Sequence, residues 1–145
     1  MDTILVGFDG SADAQSALRF AIQEAKLRGA KLRVVTTWRL PSNGWDEFPP
    51  PEEVMERFRE QAEETVAAAR ATVRMEAPDL EVETVAVEGG LGEALLDNAP
   101  EATMIVVATR GRGQIAGLLV GSVSHQVIGQ SPIPVAVVPG PGSSD

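Results

Sequence analysis

Ala108-Thr109-Arg110-Gly111, then nine residues, then Gly121-Ser122, follow directly on Met104-Ile105-Val106-Val107, the most apolar short run of the chain. An apolar strand that empties into a small-residue loop, and then into a helix opening with Gly-Ser, builds an anion cradle. Small residues let main-chain N–H groups approach a phosphate closely. A helix N-terminus adds unpaired donors and a partial positive charge.

Outward from this segment, strand and helix patterns alternate. Residues 3–8 predict a buried strand, Asp9-Gly10-Ser11 a turn, and Ser11 a helix N-cap. Ala14, Ala17, Leu18, Ala21, Ile22 and Ala25 recur at helical spacing, and Gly29 ends that helix. Residues 32–37 predict a second strand. From Trp38 to Pro51 the pattern breaks, and Pro41, Asn43, Gly44 and Pro49-Pro50-Pro51 predict a long surface loop. A helix then runs from near Pro51 to about Met75. Its acidic first turn, Glu52 and Glu53, suits the helix dipole. Its apolar stripe is Met55, Phe58, Ala62, Val66, Ala69 and Val73. Residues 81–87 alternate in part, as an edge strand does, and Gly89-Gly90 turns into a short helix over about 91–99. The unbroken run 104–107 predicts a central strand. A last helix opens at Gly121 or Ser122, passes Val123, Val127 and Ile128, and stops at Gly129. Pro132 and Pro134 lead into a fifth strand, Val135–Val138.

Five strands alternating with helices predict an α/β domain, three-layered and Rossmann-like, on a mainly parallel sheet. Ligands of such sheets bind beyond the carboxyl ends of the strands, where the strand order reverses. With the first and fourth strands as central neighbours, the loop at Asp9 and the loop from Ala108 to Ser122 meet there. The expected domain covers residues 1–139, with 140–145 as a loose tail.

The chain has 145 residues, 43% of them hydrophobic and 23% charged, which suits one globular domain. It has no apolar run of membrane-spanning length and no signal-peptide start, so a cytoplasmic location is expected. Without cysteine there are no disulfides, thiolate metal sites or cysteine catalysis. A net charge of −9 opposes nucleic acid and anionic membranes as partners. It does not oppose a small anion, because local donors outweigh a distant screened field.

Gly111-Arg112-Gly113-Gln114-Ile115-Ala116 matches the dinucleotide fingerprint by letters only. That fingerprint belongs after the first strand, with an acidic residue about twenty positions later. There is no Walker sequence. A receiver domain, which shares this architecture, needs clustered acids after the first strand and a late lysine; the only lysines are Lys26 and Lys31.

As a whole the segment resembles the universal stress protein family, whose nucleotide signature is Gly, two residues, Gly, nine residues, then Gly and Ser or Thr. Here Ala108 stands for the first glycine, ahead of Gly111 and Gly121-Ser122. The likeness extends to residues 4–11, to Val85-Ala86-Val87-Glu88-Gly89, and to the closing blocks 117–124 and 131–135. It implies a doubly wound five-stranded sheet of order 3-2-1-4-5 and a homodimer joined through the last strand, Val135–Val138. It also implies ATP as ligand, with adenine and ribose near the first two strands and phosphates on the glycine loop. By position, Asp9 lies beside ribose and phosphates, where Mg²⁺ would bridge them. Thr37 flanks adenine by backbone or side chain. Gly111, Gly121, Ser122 and Val123 cradle phosphates. Ala108 departs from the pattern, and its methyl matters where the backbone needs a positive φ or touches ligand.

Each position also has a plainer reading. The glycines shape a tight connection, and Asp9 caps a turn. Of Arg110 and Arg112, either one grips phosphate in a fork geometry or both are solvated loop charges. His125, the sole histidine, is read as structural. Ser11 and Ser122 are read as caps or phosphate donors, because no catalytic triad can be assembled. Trp38, Trp45 and Phe48 cover a base or pin the long loop. No catalytic residue and no protein metal site is assigned. The functional expectation is an adenine-nucleotide-binding dimeric module with a regulatory role in stress. A slow ATPase and a nucleotide-free adaptor are the alternatives.

Overall fold

The structure, a computed structural model, describes residues 2–40, 50–109 and 121–141. Five strands, β1 (Thr3–Gly7), β2 (Lys31–Trp38), β3 (Val82–Glu88), β4 (Met104–Ala108) and β5 (Val135–Val138), form one sheet of order β3-β2-β1-β4-β5. Every pairing is parallel. The helices are α1 (Ala12–Arg28), α2 (Glu52–Glu76), α3 (Leu91–Asn98) and α4 (Ser122–Gln130), with a 3₁₀ turn at Ala99–Glu101. The doubly wound α/β expectation and its strand order hold, and the sheet is wholly rather than mainly parallel.

The three layers follow from strand alternation. Ile4, Val6, Phe8, Leu32 and Val34 pack against α1 and α2 on one face. Leu5, Val35, Ile105 and Val107 pack against α3 and α4 on the other. With both faces covered, β1 carries no exposed position, as a central parallel strand must. The six apolar positions read on α1 are its six buried residues. Its ends are also as read. Ser11 Oγ accepts from Ala14 N–H at 3.1 Å, and Gly29 closes the helix at φ 64°, a left-handed conformation that favours glycine.

One local expectation is corrected and two are refined. Gly129 does not stop α4 but lies inside it. The helix ends after Gln130 because Ser131 precedes Pro132 and takes the extended conformation that a following proline imposes, φ −72° and ψ 134°. Ile128 lies in α4 as expected, on its exposed side at 52% exposure. On α2 the stripe is fully buried only from Ala62 onward, while Met55 and Phe58 are half-buried.

Opposite the carboxyl end of the sheet, buried Arg33 of β2 spans three elements. Its Nε donates to Glu83 Oε1 at 2.9 Å, and its Nη1 donates to Asn98 Oδ1 at 3.0 Å and pairs with Glu101 at 3.2 Å. Lys31 Nζ lies 3.3 Å from Glu83 Oε2. Burial works to lower the Arg33 pKa, but Glu83 and then Glu101 outweigh it and the net shift is upward. The hydrogen bond from Arg33 holds the Glu83 carboxyl below its usual range, with Lys31 adding to it. A depressed carboxylate stabilises the fold above its unfolded pKa and ceases to as pH falls through the folded value. Glu83→Gln is therefore expected to lower the melting temperature at neutral pH. The gap to wild type should close as the pH falls below the usual carboxylate range and through the lowered folded-state value. A gap that persists in acid would remove the charge of Glu83 from this role.

Candidate functional site

The strand order reverses between β1 and β4. The chain leaves β1 toward β2 through α1, and leaves β4 toward β5 through α4. There the paired parallel strands β1 and β4 end side by side, β1 running into the Asp9 turn and β4 into Thr109. Phe8 N–H donates to Val35 O at 2.9 Å and ties the end of β1 to β2. Asp9 Oδ1 then accepts from Ser11 N–H at 2.9 Å, while Gly10 takes φ 83°, a turn that most side chains would strain. The capping role read for Asp9 is thus present in the geometry, and it places the carboxylate beyond the strand end at the crevice.

On the other side, Thr109 N–H donates to Val138 O at 2.8 Å, and Thr109 O accepts from Gly121 N–H at 2.6 Å. Ser124, 1% exposed, aims its Oγ at both Thr109 O and Gly121 O, each at 3.2 Å. The end of β4 and the start of α4 are therefore clamped together. Gly121 is the N-cap residue and offers no side chain, so the first turn of α4 carries no side-chain cap. Ser122 and Val123 are the first two helical residues, and Ser122 is exposed. A helix start left open in this way presents amide donors and the positive end of the helix dipole beside the end of β4. Ser122 is thus not a cap. His125 is exposed, and its backbone N–H closes the first α4 turn on Gly121 O.

Ala108 is the last residue of β4, paired with Val138, and its half-buried methyl packs against the α1-side core. Among the described residues no residue but glycine has a positive φ. One of the two ways in which alanine would fail at this position is thereby removed. Arg110, Gly111 and Arg112 lie outside the described residues, as do Trp45 and Phe48 of the long loop.

Beside Asp9, a cleft of about 240 Å³ opens between the end of β2 and the first half of α2. Thr36, Thr37 and Trp38 line it from β2. Phe58, Gln61, Ala62 and Thr65 line it from α2. By strand alternation Thr37 turns its side chain away from α2, since Val35 belongs to the opposite core and Val34 to this one. Thr37 therefore borders the cleft through its backbone. Thr36 and the α2 residues were missed as site residues. Phe58 and Ala62 satisfy the helical core stripe, and which strand end α2 covers is a tertiary fact. The available signal was Thr36 itself, a hydroxyl on the face otherwise filled by Leu32 and Val34.

Among the described residues no cluster of His, Cys, Asp or Glu could hold a metal. No helix among them is long and apolar enough to cross a membrane.

An open, doubly wound, wholly parallel α/β sheet defines the class of this molecule. Within that class, the universal stress protein family model matches residues 1–139. A Thermus aquaticus universal stress protein is 36% identical over 138 residues, covering 94% of this chain and 97% of its own. This chain belongs to the universal stress protein family. It spans about half the length of the mycobacterial relatives it matches, such as one from Mycobacterium tuberculosis, 32% identical over 140 residues and covered over 44% of its length. Among the solved structures this chain resembles are two in complex with a nucleotide. A universal stress protein in complex with cAMP is 27% identical, with a TM-score of 0.72 over 94% of this chain and 96% of that one. The Archaeoglobus fulgidus protein in complex with dAMP is 29% identical, with a TM-score of 0.68 over 95% and 98%.

Proposed function

We propose that the chain is an adenine-nucleotide-binding module whose ligand is ATP, held in the crevice between Asp9, Thr37 and the start of α4. The observation that carries this reading is the open first turn of α4, held by Ser124 against the end of β4 at the point where the strand order reverses. In that frame the N–H groups of Ser122 and Val123 hold phosphate oxygens, with Gly121 as the uncapped entry. Asp9 is a single carboxylate, so Mg²⁺ would enter with the nucleotide and take most of its ligands from phosphates and water. Two relatives whose structures contain cAMP or dAMP support an adenine ligand. The extended, core-packed Ala108 supports its retention despite the lost glycine. Arg110, Gly111 and Arg112 complete the proposed phosphate loop. No catalytic group is assigned, and the proposed role is regulatory, through nucleotide occupancy. A cytoplasmic setting and a domain of residues 1–139 with a tail at 140–145 belong to the same reading.

Denaturing the purified protein and identifying released small molecules by mass spectrometry tests this. Adenine nucleotide near one per chain is expected. A protein that yields none, and takes up none when incubated with ATP and Mg²⁺, would refute the reading.

The second part of the proposal is a homodimer through β5. Val135–Val138 is an apolar strand at the edge of the sheet, with one side paired to β4. An open apolar edge is a liability that pairing with a second copy removes. Sedimentation at micromolar protein is expected to give twice the 15.3 kDa chain mass. A single species of monomer mass would discard the β5 interface.

A further inference from the structure

Leu32, Val34, Thr36 and Trp38 lie on the α2-facing side of β2. Leu32 and Val34 are buried aliphatic residues, as that position demands. Thr36 is equally buried, 3% exposed, but carries a hydroxyl. Among the described residues its Oγ forms no hydrogen bond, whereas the buried Ser124 hydroxyl has two acceptors. Buried hydroxyls are nearly always satisfied, and an isosteric valine would fill the same space without the desolvation cost. Thr36 also lines the cleft beside Asp9. Its hydroxyl is therefore a polar group at the bottom of a recess, without a protein partner to explain it.

The rest of the recess indicates what would meet that hydroxyl. Phe58, Ala62 and Trp38 supply apolar and aromatic surface, Gln61 and Thr65 add neutral polar groups, and among the described residues no lysine or arginine lines it. Arg59 lies 5.9 Å from the centre of the Trp38 ring, which steadies that ring by a cation–π contact. Such walls do not suit a phosphate. They suit a flat neutral heterocycle, apolar on its faces and polar at its edge.

We propose that Thr36 is a base-contacting residue: its hydroxyl at the floor of the cleft hydrogen-bonds the polar edge of the nucleobase. This rests on the nucleotide reading given above and adds the residue that anchors the base. A hydroxyl both donates and accepts, so either kind of edge atom satisfies it.

The test compares full-length wild type, Thr36→Val and Thr36→Ser by calorimetric titration with ATP–Mg²⁺, and by the melting temperature of the nucleotide-stripped proteins. Thr36→Val is expected to weaken ATP about tenfold, the loss of one buried hydrogen bond. Its nucleotide-free melting temperature should equal or exceed that of wild type, because an unsatisfied buried hydroxyl has been removed. Thr36→Ser should bind as wild type does. Equal ATP affinity in wild type and Thr36→Val would overturn the proposal while leaving the nucleotide reading in place. A lower melting temperature for nucleotide-free Thr36→Val would also overturn it, by showing that the hydroxyl serves the fold. Wild type that binds no ATP would instead remove the nucleotide reading, and the base contact with it.

Discussion

Ser122→Glu is expected to weaken ATP–Mg²⁺ binding by about 30-fold or more while leaving the protein as stable as wild type or slightly more so. Ser122 is the first residue of α4, exposed, behind a glycine N-cap that supplies no side chain. A carboxylate there meets the same positive helix end as the phosphates would. Two unit charges about 6 Å apart at an effective dielectric near 20 repel by roughly 2–3 kcal/mol. That corresponds to a factor of about 30–150 in Kd. The same charge favours the isolated helix by about 0.3–1 kcal/mol. Affinity and stability should thus move independently or in opposite directions, which general damage to the fold does not produce. Ser122→Ala keeps the N–H donor and should lose less than about tenfold. Unchanged affinity in Ser122→Glu, read by calorimetry, would place the phosphates away from α4.

The largest effect on stability is expected at Phe8. It is among the largest fully buried side chains, 1% exposed, and packs in the core shared by β1, β2, α1 and α2. Its backbone N–H also ties β1 to Val35, directly before the Asp9 turn. Phe8→Ala removes a ring from this core and should cost about 3–5 kcal/mol. A domain of this kind has about 5–15 kcal/mol in total. The urea midpoint should fall steeply with the slope of the transition unchanged. A loss below about 1 kcal/mol would mean that the core reorganises around the gap.

How much of this was legible from the residues varies with the range of the interaction. The α1 stripe was read correctly at every buried position, because a helix end and its apolar period are local properties set by Ser11, Gly29 and 3.6-residue spacing. The buried runs of β1 and β4 were legible for the same reason. The strand order came from the family likeness, and the sheet then bears it out. What escaped depends on neighbours distant in sequence. Gly129 looked like a stop, but Ser131 before Pro132 decides where α4 ends. Arg33 was passed over in an apolar strand, and its reason is Glu83, which faces it across the β2–β3 register. In the site, the motif predicts Asp9 and Gly121-Ser122 at one crevice; the structure ends the paired strands β1 and β4 at the Asp9 turn and at Thr109, whose carbonyl Gly121 N–H joins. Ser124 as the clamp, Thr36 as the polar floor and α2 as the opposite wall are contributions of tertiary placement. No local period distinguishes a cleft-lining Phe58 from a core one.

The central claim is nucleotide binding, and the most direct measurement is a calorimetric titration of the full-length, nucleotide-stripped protein with ATP and Mg²⁺. Saturable binding at one ATP per chain with a micromolar or tighter Kd is the predicted result, and it would show that alanine at position 108 is tolerated. A flat titration, with the protein folded by circular dichroism, would contradict the account and turn attention from the crevice to the surface of a nucleotide-free domain.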